Sequence, residues 1–320
     1  FQLFLNQPYR QYLFHNDVQL HSWHKRYFLQ KIFQNNKEPL FGRADNIIEL
    51  SPFSLPVLKE IMYDYYPTYT NDDLLALYTF TGGIPKYVEL FCDNRILNIN
   101  GMIDFMVRDN SPFTDEGKNL LIEEFGKNYA TYFSILSAIA NGKNTQAEIE
   151  AALGNKSIGG YLRRLIEDYN IIVRQRPILS KEGTLAIRYE IQDNFISFWF
   201  NYFDKNRSLI EIKNYMALRS IIKADYPTYS GKMLERYFKQ KFAESFLYKD
   251  IGSWWELKGD AYEIDIVALC LEKDKAVAVE IKRQKKNYKP DLLEKKVEHL
   301  KHKVLPHYAI TKMCLSLEDM

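Results

Sequence analysis

Cysteine is scarce: the 320-residue chain has 3, Cys92, Cys270 and Cys314, all far apart. An odd, scattered set excludes a disulfide framework and any Cys-x-x-Cys metal site, and it fits a reducing, cytoplasmic setting. Glycine (14) and proline (11) are too few for a collagen-like or linker-dominated chain. Neither sign of charge prevails. With 43 Lys and Arg against 41 Asp and Glu the balance is +2, so any basic surface for nucleic acid has to be local. Long apolar runs are missing as well: stretches such as 195–203 and 264–271 fall short of the ~20 residues that span a bilayer, and no membrane association is expected. No charged and apolar signal leader opens the chain. No segment repeats at a fixed period, which removes solenoids. Phe1 opens the chain directly in a polar-aromatic segment, and the expectation is that further sequence precedes it.

What is present is the material of several cores: 46% hydrophobic and 26% charged residues over a length that exceeds one domain. Runs 17–20 and 46–50 read as strands with a helix over 25–35 between them, the last part of an α/β core spanning 1–53. From Ser54, a residue suited to an N-cap, helical spacing runs to 93, broken at Tyr66-Pro67 and Gly82-Gly83-Ile84-Pro85. This gives a small helical domain over 54–128. Residues 129–192 predict three short helices, 132–140, 146–153 and 157–169, the last capped by Ser157. Strands 171–176 and 186–192 then flank a polar loop, Ser180-Lys181-Glu182-Gly183, completing a winged helix-turn-helix. Residues 193–228 predict an aromatic-rich helical connector, with helices over 193–203 and 209–224. Residues 229–320 predict helix 231–246, strand 253–257, a hairpin of 263–271 and 276–282, helix 291–304 and strand 307–311. The whole is multidomain, α/β and α+β.

In a strand, residues two apart share a face. Glu280 therefore points with Lys282, and Glu263 with Asp265, while Ile264, Ile266, Val277, Val279 and Ile281 are expected to fill an opposite, buried face. Crowded carboxylates repel one another unless a hard divalent cation sits between them, and a shell of oxygens and waters is what Mg²⁺ prefers.

Asp265 with Glu280-Ile281-Lys282 resembles the Asp and Glu-x-Lys core of the restriction-endonuclease-like PD-(D/E)XK nucleases. The resemblance implies a restriction-endonuclease-like α/β domain over 229–320. Asp265 and Glu280 would be Mg²⁺ ligands with the Ile281 carbonyl assisting, Glu235 the additional helix carboxylate, and Lys282 the catalytic lysine. Ile264 stands where the family's name places proline. Further upstream, Trp254-Trp255, Glu263-Ile264-Asp265-Ile266-Val267-Ala268 and Asp193-Asn194-Phe195-Ile196-Ser197-Phe198-Trp199-Phe200 resemble the C-terminal region of archaeal-type AAA+ ATPases. Pro39-Leu40-Phe41-Gly42-Arg43 and Gly82-Gly83-Ile84-Pro85-Lys86 are similar to the end of their ATPase core and to the Gly-x-Pro turn of their helical lid. By that resemblance 1–53 is the C-terminal part of a P-loop ATPase core and 54–128 its lid. Ser22 would lie near a sensor position and Arg43 near a finger-like position, and the core would mediate oligomerisation.

A Gly-x-x-x-x-Gly-Lys-Ser/Thr loop, whose backbone amides and lysine cradle phosphates, is absent from these 320 residues. Gly154-Asn155-Lys156-Ser157 lacks the preceding glycine and the lead-in strand. ATP binding is therefore expected only with upstream sequence. For DNA, Arg163 and Arg164 lie on the expected recognition helix, with Lys156, Arg174 and Arg176 nearby. Lys285 and Lys286 belong to a basic run beside Lys282. The six histidines lack partners at zinc-ligand spacing. The functional expectation is an ATPase-family protein whose tail binds and hydrolyses DNA with Mg²⁺. The alternative is a non-catalytic ATP-dependent adaptor whose winged helix and tail dock a partner.

Overall fold

The computed structural model describes residues 51–126, 129–257 and 262–320, together with Pro39 and Arg43. Five helices come first: α1 (Leu55–Tyr65), α2 (Asn71–Thr81), α3 (Pro85–Asp93), α4 (Ile99–Met106) and α5 (Glu116–Phe125). Ser54 occupies the N-cap of α1 without a side-chain cap; the Leu55 N–H instead donates to the Glu244 carboxylate at 3.1 Å, far along the chain. Helix α2 opens with a reciprocal capping box of Thr70 and Asp73, and the buried Asp73 also accepts the Ile99 N–H at 2.8 Å. It closes on the left-handed Gly82. Gly83 follows at φ +77°, where a Cβ would lie 2.8 Å from the Phe53 carbonyl oxygen, so this turn tolerates only glycine.

Helices α6 (Tyr129–Ala140), α7 (Gln146–Ala152) and α8 (Gly159–Glu167) precede an antiparallel pair, β1 (Ile172–Gln175) and β2 (Arg188–Ile191). Helix α8 starts two residues later than its spacing predicts. Its N-cap is Ile158, not Ser157: the Ile158 side chain is buried and its N–H donates to Glu150 Oε1 at 3.2 Å, which anchors the turn without a hydroxyl.

Helix α9 (Asn194–Trp199) is buried on every side and passes through one π-helical turn, Phe200–Asp204, to α10 (Arg207–Glu211). The 30-residue α11 (Tyr215–Glu244) then replaces the two helices expected over 209–224 and 231–246, and it crosses 228/229 without a break. Pro227 lies inside it. Tyr226, Tyr229, Met233 and Leu234 are buried along this stretch, so packing holds the helix through a residue that ends helices elsewhere.

A four-stranded sheet completes the chain: β3 (Tyr248–Trp254), β4 (Ile264–Cys270), β5 (Lys275–Ile281) and, after α12 (Pro290–Lys303), β6 (Ala309–Leu315). Its order is β3-β4-β5-β6. The first three strands are antiparallel and β6 lies parallel to β5, the pairing that a helical crossover permits. Both faces are covered. Ile266, Ala268, Val277, Val279 and Ile281 belong to a continuous core that begins at Leu55 and runs through the helices. Val267, Leu269, Ala276 and Ala278 pack with Leu293, Val297 and Leu300 of α12, and Ile264 joins this second cluster rather than the first. The face carrying Asp265 and Glu280 is therefore apolar except at one end, and not the solvated face that simple alternation predicts. The protein is a mixed α and β structure. Among the described residues no helix is long and apolar enough to cross a membrane.

Candidate active site

The pairing of β4 with β5 ends at Ile266↔Val279, and Asp265 and Glu280 stand one step beyond it, on the same side of the sheet by that register. The Ile281 N–H donates to Asp265 Oδ2 at 2.6 Å, which leaves Oδ1 without a hydrogen-bond partner among the described residues. Glu280, only 6% exposed, accepts from two ammonium groups. Lys282 Nζ lies 2.7 Å from Oε1, and Lys296 Nζ lies 2.9 Å from Oε2 and 3.2 Å from Oε1. Lys296 comes from α12 and is itself buried. Sequence reasoning passed over it, although it lies beside Val297 and three residues after Leu293, on the helix's apolar stripe.

Glu235, on α11, makes no hydrogen bond or ion pair among the described residues. Burial pushes its carboxyl up to about 8, and the negative charge of Asp265 adds to the shift while Lys239 opposes it. Asp265 is likewise raised, chiefly by burial; the Ile281 amide opposes this and Glu280 adds to it. For Lys282 burial works against the charged form, but the bond to Glu280 outweighs it and Lys282 stays above its ordinary value. Glu235, Asp265, Glu280 and Lys282 form one electrostatic cluster drawn from α11, β4, β5 and the residue that follows β5.

Two hollows meet at this cluster. A cleft of about 670 Å³ lies between β2, α11 and the sheet, and Glu235, Glu263, Asp265, Lys232, Lys239 and Lys296 line it. A recess of about 550 Å³ is lined by Glu280, Lys282, Lys286, Asn287, Lys289 and Leu292. The Glu280–Lys296 ion pair has one partner in each lining. Glu263 precedes the first residue of β4 and pairs with Arg188 at 2.8 Å, whose guanidinium lies 4.7 Å over the Trp255 ring. Beside Glu235, Arg236 fixes α11 to β2: it donates to Glu190 Oε1 (2.8 Å), Asn194 Oδ1 (2.9 Å) and the Ile191 carbonyl (2.6 Å). Burial acts to raise Glu190, yet Arg236 holds it below the usual carboxylate range.

The remaining expected residues do not join the cluster. Arg163 pairs on the surface with Glu167 at 2.9 Å, and Arg164 is exposed. Lys285 is exposed on a short 3-10 turn, and Lys286, on the same turn, faces the recess. Arg43 is exposed, and Ser22 lies outside the described residues. Among the described residues no three His, Cys, Asp or Glu side chains are arranged to hold a metal ion. Both Glu280 oxygens and one of Asp265 already have partners.

Residues 199–299 match the family model DUF234, described as Archaea bacterial proteins of unknown function. That span contains Glu235, Asp265, Glu280, Lys282 and Lys296. The chain is also 33% identical over 262 residues to the Uncharacterized protein MJECL04 of Methanocaldococcus jannaschii, an alignment covering 77% of this chain and 55% of that protein. The chain thus spans about half the length of the curated relative it matches.

Proposed function

We propose that the sheet end at Asp265 and Glu280 is a Mg²⁺-dependent phosphodiesterase site acting on DNA, in a PD-(D/E)XK-like tail of an archaeal-type AAA+ ATPase. One observation carries the reading: Glu235 of α11, Asp265 of β4 and the Glu280–Lys282 pair at the end of β5 are gathered at the open end of one hairpin, where burial raises the Glu235 and Asp265 carboxyls. The helix-strand-strand-strand-helix-strand order of α11 to β6 supports it, as does the three-helix and two-strand order of 129–192 for a winged helix.

Mg²⁺ needs only one or two carboxylates alongside its waters. Glu235 and Asp265 line one cleft with unpartnered oxygens, a charge pairing that is unfavourable without a cation or a proton, so this donor set fits the ion. Bound there, Mg²⁺ supplies a Lewis acid for a phosphoryl oxygen and lowers the pKa of an attacking water. Lys282, a third exposed, offsets negative charge that develops on the phosphate. Lys232 and Lys239 offer cations along the cleft for the DNA backbone, and the exposed Arg163, Arg164, Lys285 and Lys286 extend that surface. ATP binding, with Arg43 and Ser22, and oligomerisation belong to the ATPase-core resemblance of 1–53.

One observation favours the adaptor reading: two lysines neutralise Glu280 with no metal needed. The experiment incubates plasmid and single-stranded DNA with Mg²⁺, Mn²⁺ or EDTA. Cleavage should require the cation and fall by about 100-fold or more in Asp265→Ala, the scale of losing one electrostatic stabiliser. Cleavage undiminished by that substitution is a contaminant's and refutes the assignment, and absence of cleavage with every cation leaves the adaptor.

A further inference from the structure

Lys296 is an unusual residue to find where it is. A lysine is seldom buried without a purpose-built partner, and here the aliphatic stem lies on the apolar stripe of α12 while Nζ contacts both oxygens of Glu280. Glu280 already has Lys282. With Lys282 and Lys296 against Glu280 and Asp265, formal charges sum to zero, so this part of the cluster is neutral before any ion arrives. The second ammonium does more than balance charge. Lys296 lines the cleft with Asp265 and Glu235, Glu280 lines the recess with Lys282, and their bond joins the linings of the two hollows.

We propose that Lys296 is a positioning residue that acts as an internal counter-cation: it reserves the Glu280 carboxylate and competes with a divalent ion for it. The inference rests on the metal-dependent reading above and adds to it a regulated ligand. Lys296 releases Glu280 when an ion enters beside Asp265, and the two hollows then become one. The consequence is that removing the ammonium strengthens ion binding, the reverse of what removing a structural residue does.

The test measures Mn²⁺ binding to the 320-residue chain by calorimetry and by the paramagnetic resonance signal of free Mn²⁺, without DNA. Lys296→Met keeps the stem and removes the charge. It should bind Mn²⁺ about tenfold more tightly than the unaltered chain, the scale of a close charge-pair coupling, and Lys296→Arg, which keeps the cation, should not. A second measurement needs no variant: amine-reactive labelling mapped by mass spectrometry should find Lys296 protected without Mn²⁺ and labelled with it. Equal or weaker binding by a folded Lys296→Met, or labelling that Mn²⁺ does not change while binding is observed, overturns the counter-cation role alone. Absence of Mn²⁺ binding in every form overturns the metal-dependent reading together with it.

Discussion

Replacing Glu235 by Gln tests the electrostatics of the cluster through stability alone. The carboxyl moves from an ordinary 4.5 to about 8 in the folded chain because it is largely desolvated in the cleft and faces the charge of Asp265. Between those values the folded protein holds a proton that the unfolded chain has released, so stability falls as pH rises across that window. At about 1.4 kcal/mol per unit, and allowing for the curve flattening near its upper end, the loss between pH 6 and pH 8 is about 2 kcal/mol. Glu235→Gln stays neutral throughout and lacks this slope. Urea titrations followed by the fluorescence of the 4 tryptophans, run at both pH values on both proteins, give the difference free of the titrating groups that Glu235 does not touch, with the coupled response of Asp265 included. The variant should gain about 2 kcal/mol on the parent between pH 6 and pH 8. Parallel stability profiles would refute the reasoning, because they would mean that Glu235 ionises in the folded state as it does in water. The charge that appears at pH 8 is also the one a divalent ion stabilises, so Mg²⁺ should flatten the parent's profile and leave the variant's unchanged.

Two further substitutions test the packing that holds the site. Gly117→Ala in α5 gains about 1 kcal/mol of helix propensity, but its Cβ would lie 2.5 Å from Trp199 Cγ, and Trp199 is buried and fixed by its Nε1–H bond to the Thr114 carbonyl at 2.9 Å. Overpacking of about 1–3 kcal/mol should win and lower the thermal midpoint; a rise in the midpoint would show that Trp199 yields freely. Arg236→Met leaves the half-buried Glu190 without its guanidinium and removes the bonds to Asn194 and Ile191, which should destabilise the protein by about 1–3 kcal/mol in chemical denaturation, and adding Glu190→Gln should restore part of the loss. An unchanged midpoint in the single variant would mean that the clamp between α11 and β2 contributes nothing.

That Glu263 shares a face with Asp265, and Glu280 with Lys282, was legible because strand periodicity is a rigid rule, but a turn centred on Lys273-Asp274 would set Asp265 against Lys282, and the observed register lies two residues from that. The order of elements from α6 to β6 was legible for the same reason, that local periodicity carries it. What escaped were the long-range terms. In the hairpin, Val267, Leu269, Ala276 and Ala278 share a face with Asp265 and Glu280, and only the arrival of α12 shows that this face is covered. Lys296 reads as one more lysine of a basic helix until Glu280 lies under it. Pro227 and Gly231 both argue locally for a break in α11, and the burial of Tyr226, Tyr229 and Met233 overrides them. Ser157 and Ser54 have the right chemistry for caps, but Glu150 and Glu244 reach those turns first. Each miss is a case where a partner distant in sequence supplied what the local pattern left open.

The same long-range bonding decides how far the site can be treated apart from the helices before it. Lys282 turns toward Glu280, while its neighbour Arg283 turns away to Ser230 on α11 and to Asp72 in the first turn of α2, with its guanidinium 5.3 Å over the Tyr226 ring. One residue earlier in α2, Asn71 donates to the Leu317 carbonyl beyond β6 at 2.6 Å. The start of α2 thus grips both the loop that follows β5 and the turn that follows β6, and the apolar core beneath is continuous from Leu55 to Ile281. A displacement of α2 against α11 must either break the Asp72–Arg283–Ser230 bridge or pull on the residue next to Lys282. The position of that ammonium is therefore set as much by the first helices of the chain as by the strand that carries it, and the helical layer and the sheet have to be treated as parts of one site.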